Sequence, residues 1–261
     1  LAVLTEITLK VLPAPEDVRT LIVVGLDVHN AVRVMTGVLQ SAMDVSGVCH
    51  IPESLNHGEM ASLAAVGASL GTSAAGSATA FRLEGFQPSV VFRLARLREQ
   101  LGSEGSLIIL DREPSLAFWR AVRDVAPFVD DVARIVWRLS VPPAQGAIVL
   151  ERIERAIPGA QGILDWGGGL IWLQLPAVAN KPHGGTSHAG ADVDTAHVDT
   201  VRSAIGDTGG HATLIRAPAG VRASVEVFHP QAAALASLSR RVKAQFDPSR
   251  VLNPARMYAG V

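Results

Sequence analysis

Cysteine is almost missing from this chain: Cys49 is the only one in 261 residues. A lone thiol excludes an internal disulfide framework and fits a reducing compartment. An excess of either charge is missing too. With 23 basic against 24 acidic side chains the formal net charge is -1, so there is no electrostatic footprint for nucleic acid. Long apolar runs are also lacking. Stretches such as Leu21 to Val24 or Leu107 to Leu110 fall far short of the roughly 20 residues a membrane-spanning helix needs. What remains is a globular composition, 48% hydrophobic and 18% charged, read as a soluble chain or one at most peripheral to a membrane, with ample material for one large or two small domains.

The N-terminus lacks a methionine. Leu1 to Val11 alternates apolar and polar residues with no cap or turn ahead of it, so the chain opens as if in mid-strand and reads as the remainder of something longer. No signal-peptide pattern is present, which carries no weight in a fragment.

Along the chain the pattern predicts strand Arg19 to Val24, a helix capped by Asp27 and running to about Ala42, and strand Val45 to Ile51. Pro52 to Ser77 is rich in small residues, with a weak helical pattern at Glu59 to Val66. Strand Thr79 to Leu83, amphipathic helix Pro88 to Leu101 and strand Leu107 to Leu110 follow. Glu113 to Phe128 reads as a linking helix. The order then repeats: strand Val132 to Val141, a helix from Pro142-Pro143 to Ala156, strands Ile163 to Trp166 and Leu170 to Leu175 around Gly167-Gly168-Gly169, a helix from about Asp192 to Ile205, and strand Ala212 to Arg216. The expected fold is α+β: two tandem ferredoxin-like βαββαβ units, about 16–112 and 130–217, forming one antiparallel sheet with helices mainly on one face and the other face open.

Strand alternation then sorts side chains by face. Ile135, Trp137, Leu139 and Val141 share one side; Arg134, Val136, Arg138 and Ser140 share the other, and Arg82 and Glu84 alternate likewise against Phe81 and Leu83. A polar face carrying Arg82, Arg134 and Arg138 reads in two ways, as an ordinary solvated surface with ion pairs or as a seat for a small anionic substrate. Residues 246–261 end the chain as a strap. Pro248 and Pro254 fix their own φ and push Asp247 and Asn253 toward extended geometry, so the preceding helix cannot continue.

These stretches carry a resemblance. The tail Phe246-Asp247-Pro248 … Leu252-Asn253-Pro254-Ala255-Arg256-Met257 resembles the C-terminal signature of FAD-linked oxidases of the vanillyl-alcohol-oxidase type. Together with Leu1 to Pro13, Val45 to Cys49, Arg82 to Gly85, Trp137 to Pro142, Leu164 to Gly168 and Gly209 to Thr213, it makes the chain similar to the FAD-binding E subunits of bacterial glycolate oxidases. The resemblance implies that residues 1–13 are the last strand of an FAD-binding domain otherwise missing, that 14–245 form the C-terminal cap domain, and that 246–261 lie against the flavin domain. It implies FAD as cofactor in the full-length protein or complex, oxidation of glycolate to glyoxylate, a larger flavin-binding subunit and an iron-sulfur subunit as partners, and a cytoplasmic location or one peripheral to the inner membrane through those partners. Where the family has glycine after Asn-Pro, this chain has Ala255, which costs on the order of 1 kcal/mol if that position needs positive φ.

Under that resemblance Arg138, then Arg82, with Arg134 beside them, hold a substrate carboxylate through bidentate hydrogen bonds. Gly209-Gly210-His211-Ala212-Thr213 reads either as a tight turn placing His211 for proton transfer at the flavin's reactive edge, or as a helix C-cap leading into a strand. Asn253 and Arg256 meet the flavin. Leu164-Asp165-Trp166-Gly167-Gly168 reads first as a hairpin turn with an aromatic anchor. No glycine-rich phosphate loop is found: Gly71 to Ala80 precedes a strand and matches no dinucleotide fingerprint. His183, His188, Asp192, Asp194 and His197 lack the tight ligand pairs of a closed zinc site and read as an exposed loop, and His50 and His57 are isolated, so no metal is expected. Rival readings are a docking module that binds no flavin on its own and, against the evidence of the FDP and NP tail, a small-ligand regulatory domain.

Overall fold

The structure is a computed structural model and describes residues 4–11, 13–55, 76–129, 131, 133–176, 189–254 and 256–258, the side chains of 189–196 and 207 apart. The expected helix at Glu59 to Val66, His57, His183, His188, the side chains of Asp192 and Asp194, and Ala255 lie outside the described residues.

Among the described residues eight strands form one sheet: β1 (Asp17–Val24), β2 (Gly47–Ile51), β3 (Ala78–Gly85), β4 (Ser106–Leu110), β5 (Ile135–Ser140), β6 (Gln161–Asp165), β7 (Leu170–Leu175) and β8 (His211–Arg216). Their order is β4-β1-β3-β2-β6-β7-β5-β8, and every neighbouring pair is antiparallel. Each half therefore interleaves its first and third strands between its fourth and second, the split-βαβ arrangement, and the halves meet where β2 pairs with β6 through Cys49–Asp165 and His50–Leu164. Among the described residues no strand precedes Asp17. Leu4, Ile7, Leu9 and Val11 are exposed, so the alternation at the N-terminus is not expressed as a paired strand here.

Helices α1 (Val28–Leu39), α2 (Gln87–Leu101), α4 (Gly146–Ala156) and α5 (Ala189–Ile205) share one core with the sheet. Leu21, Val23, Phe81, Leu83, Trp137, Leu139, Leu173 and Leu214 supply the sheet side of that core. Asp27 starts α1 as expected, its carboxylate accepting from the amides of His29 and Asn30 at 2.9 Å each, which satisfies two of the helix's orphan donors. Pro142 and Pro143 begin a 3-10 turn, Pro143–Gln145, rather than the helix itself, which starts at Gly146.

The linking segment changes the picture of the other face. Helix α3 (Arg112–Arg123) and the 3-10 turn Ala126–Phe128 cross to that side and build a second core. Phe118, Trp119, Ala121 and Val122 cluster there with Ile22, Cys49, Ala80, Ile108 and Leu110. At roughly 1.5–3 kcal/mol for each large apolar side chain removed from water, this burial is enough to hold the helix down. Helices lie mainly on one face, as expected, but the opposite face is roofed over the first half; toward β5, β7 and β8 it leaves Arg138, Ser140, Trp172 and Thr213 partly exposed and His211 exposed. The chain closes with α6 (Ala219–Ser224) and α7 (Ala233–Phe246).

Candidate functional site

The open part of the second face is reached by following cross-strand rows. One row runs Cys49, Asp165, Leu170, Ser140, His211; the next runs Ile163, Trp172, Arg138, Thr213. Arg138 is therefore in mid-sheet, between Trp172 and Thr213. Its guanidinium lies over the Trp166 ring, 5.6 Å from the centroid, a cation–π geometry. Among the described residues Arg138 makes no hydrogen bond or ion pair.

The other two arginines of that face are occupied. Arg82 donates to Ser46 Oγ at 2.9 Å and to Ser46 O at 3.2 Å, approaches Glu84 at 3.5 Å, and lies 5.3 Å from the Trp119 ring centroid. Trp119 is held in turn by Thr20, which accepts from its indole nitrogen at 2.9 Å. Arg134 precedes β5 and is tied to Asp131 at 3.1 Å, Gln174 at 3.3 Å and Gln161 at 3.4 Å. Arg82 and Arg138 are also four strands apart, roughly 19 Å at about 4.8 Å per strand. The structure does not bring the three arginines together.

His211 begins β8 on the sheet edge, exposed and opposite Ser140, one strand and one pleat from Arg138. Gly210 before it is required by close approach, since a Cβ there would run into Ser140 O and Val141. His229 sits behind, its Nδ1 accepting from Ala212 N at 3.4 Å. Burial first, then the charges of Arg202 and His211, hold the His229 pKa below its usual value.

The strap turns back on its own helix. Asp247 and Lys243 form a buried pair at 2.8 Å; the carboxylate also accepts from Val251 N at 3.0 Å and Leu252 N at 2.9 Å, and Lys243 donates to Leu252 O. Asp247 to Arg250 is a β-turn closed by Arg250 N to Asp247 O at 3.0 Å, with Pro248 at its second position, where its fixed φ suits the turn. Tyr258 Oη donates to His229 O at 3.3 Å. Asn253 and Arg256 are exposed, and among the described residues neither side chain has a partner on the sheet.

Two residues of the site were read only as turn chemistry. Asp165 ends β6 and faces the open side; one oxygen accepts from Trp166 N at 2.7 Å. Burial raises the pKa of Asp165, opposed by that amide and by the charge of Arg82. Burial, with the charge of Asp165 beside it, likewise raises the Cys49 thiol well above its ordinary value. Trp166 is not a buried anchor: it is 59% exposed and its φ is 53°, a left-handed conformation that a bulky residue rarely adopts. Gly167 and Gly168 behind it press against α1 and the start of α4, for a Cβ on Gly168 would stand 2.6 Å from Pro143 O and 3.1 Å from Val32. The turn is wedged in place, and the strain falls on an exposed indole, the kind of outlier that clusters at functional sites. The aspartate and tryptophan next to three glycines were the available signal.

Comparison with known proteins agrees with the resemblance read from the motifs. The chain is 28% identical to glycolate oxidase subunit GlcE of Escherichia coli (strain K12) over an alignment of 265 positions that covers 99% of this chain and 54% of that one. Among solved structures its fold matches p-cresol methylhydroxylase with a TM-score of 0.62 at 12% identity, covering 95% of this chain and 54% of that one. It also matches 4-ethylphenol oxidase from Gulosibacter chungangensis with a TM-score of 0.54 at 13% identity, covering 95% of this chain and 55% of that one. The chain thus spans about half the length of these proteins. No family model matches it. Among the described residues no helix is long and apolar enough to cross a membrane.

Proposed function

We propose that this chain is the substrate-facing part of an FAD-dependent oxidoreductase that converts glycolate, or a closely similar 2-hydroxy acid, to the 2-oxo acid within a complex containing a larger flavin-binding subunit and an iron-sulfur subunit. The end-to-end similarity to a glycolate oxidase subunit supports the reaction class. The observation that carries the site is Arg138. Unlike Arg82 and Arg134 it has no hydrogen-bonding partner among the described residues, it is half-buried, and Trp166 supports it from one side. A planar guanidinium so presented suits bidentate capture of a carboxylate. His211, one strand away and exposed, is the candidate group for proton transfer.

The described residues fit one end of FAD and not the other. An exposed indole and a guanidinium on an open sheet face suit contact with a planar ring. The N-termini of α1, α2 and α3 do not suit a pyrophosphate: Asp27 and Asp111 occupy those of α1 and α3, and Phe86 and Pro88 stand at that of α2. When bound, a flavin supplies the two-electron acceptor; this chain's residues orient the acid and shield it.

A second reading, a docking module that binds no flavin alone, is favoured by the apolar stripe Leu235, Leu238, Val242 and Phe246, all exposed on α7. Absorbance in the flavin band of the purified chain after reconstitution with FAD separates the two. Stoichiometric bound flavin would overturn the docking module; none after reconstitution would mean that this chain alone is no enzyme. In the flavin-loaded complex Arg138→Ala is expected to raise the KM for glycolate at least about tenfold, the loss of one charged hydrogen-bonded pair. Unchanged glycolate kinetics would overturn the carboxylate assignment.

A further inference from the structure

We propose that Asp165 reads the α-hydroxyl group of the bound acid, accepting its hydrogen bond while Arg138 holds the carboxylate, and so selects 2-hydroxy acids over plain carboxylic acids. The inference rests on the 2-hydroxy-acid reading above. Asp165 and Arg138 face the same side of the sheet, two strands and one pleat apart, about 12 Å between Cα atoms at ordinary sheet spacings. The long arginine side chain reaches back across that gap to Trp166, the residue next to Asp165. A 2-hydroxy acid bound beside the guanidinium would present its carboxylate to Arg138 and its hydroxyl to Asp165.

The chemistry matches the two ends. One Asp165 oxygen is fixed by the Trp166 amide, which sets the plane of the carboxyl group; the second has no hydrogen-bond partner among the described residues. An ionised carboxylate only accepts hydrogen bonds, so it welcomes a hydroxyl and gains nothing from a methyl group. Bringing an anion toward an aspartate needs compensation. The charged and titratable groups around Asp165 are Arg82 on β3, itself paired with Glu84, the Cys49 thiol on β2, Arg138 on β5 and His211 three strands along the same row. Of these, the Arg82 charge acts on the carboxylate directly, and the Arg138 guanidinium lies over the ring of the neighbouring Trp166. A half-buried acceptor left unpaired by the wrong ligand penalises it, which is why sites built around a substrate hydroxyl reject analogues that lack one.

The test is titration of glycolate and of acetate into the 261-residue chain, followed through quenching of the exposed Trp166 indole, with urea unfolding as a check that each variant is folded. Glycolate is expected to bind about tenfold or more tightly than acetate. Asp165→Ala is expected to abolish that preference while acetate binding stays, and Asp165→Asn, whose amide oxygen still accepts, to restore part of it. Arg138→Ala is expected to weaken both ligands. A preference that survives in Asp165→Ala, or equal binding of the two ligands to the unaltered chain, overturns the role of Asp165 alone. Failure of either ligand to bind, or indifference of both to Arg138→Ala, overturns the 2-hydroxy-acid reading and this inference with it.

Discussion

At the scale of single residues, the informative positions are those where a side chain is held at a cost. Trp166 is kept at a φ of 53° by glycines wedged behind it, and left-handed geometry costs a non-glycine residue roughly 1–2 kcal/mol. Trp166→Gly relieves that strain and loses only an exposed ring with its cation–π contact, worth about 0.5–1 kcal/mol. Trp166→Ala loses the same contact and keeps the strain. The glycine variant is therefore expected to be about 1 kcal/mol more stable than the alanine variant in urea unfolding, although both lose the indole that supports Arg138; equal stabilities would show that the turn stores no strain. His50 makes a second case. It is 2% exposed on the helix-facing side of β2, bonded through Nδ1 to Thr79 Oγ1 at 2.9 Å, and burial pushes its pKa from 6.5 down to about 4. Between those values the unfolded chain binds a proton that the folded chain refuses, so stability is full above about 6.5 and is lost as pH falls toward 4. The loss is as much as about 3 kcal/mol. Urea unfolding at pH 7.5 and at pH 5 should show a steeper fall for the unaltered chain than for His50→Gln; parallel slopes would mean that His50 is not excluded from protonation.

At the scale of elements, the order of strands and helices was legible because each has its own period, two for the strands and 3.6 for the helices. What covers each face was not. Alternation assigns Arg82 and Arg138 to one side of the sheet but says nothing about a helix arriving from elsewhere in the chain. The hint lay in Ile22, Ala80 and Val136, apolar residues on the supposedly open side, since strands apolar on both faces are covered on both. What holds the strap was not legible for a related reason: two prolines say that a helix stops, and only the buried pair Lys243–Asp247 says that the chain then turns back on that helix. Asp247 is held at a pKa of about 2, first by the hydrogen bond from Lys243 and then, against burial, by the amides of Leu252 and Val251. Because that pKa lies below the unfolded value, the contribution is present above about pH 4 and fades as pH falls toward 2. Asp247→Ala leaves a buried ammonium with no counter-charge. It is expected to free the strap, so that trypsin cleaves after Arg250 several times faster while cleavage within the sheet domain is unchanged. A strap equally resistant in the variant would mean that other contacts fix it.

At the scale of the molecule, the question is whether two split-βαβ halves behave as one body. The β2–β6 seam is short, with Cys49 opposite Asp165 and His50 opposite Leu164, and alone it would be a weak joint. The turn after β6 reinforces it. Gly167 and Gly168 pack beneath Leu39 and Val32 of α1, from the first half, and Gly168 abuts Pro143 and Gly146 at the start of α4, from the second; His29 of α1 also meets Glu151 of α4 at 3.4 Å. The segment that positions Asp165 and Trp166 is thus the one that clamps the halves together, and the candidate site sits over the joint. Gly168 has a φ of 100°, and any Cβ there meets backbone oxygen at 2.6 Å, so Gly168→Ala combines a forbidden conformation with overpacking and is expected to cost about 2–4 kcal/mol. Because one core runs across both halves and this clamp joins them, the unaltered chain should unfold in a single transition, with tryptophan fluorescence and far-ultraviolet circular dichroism coinciding. In Gly168→Ala the expected outcome is a split: the two signals separate as the halves uncouple, and ligand quenching of Trp166 is lost at temperatures where most of the secondary structure remains. One transition shifted lower, with both signals still coincident, would show instead that the sheet couples the halves without the turn.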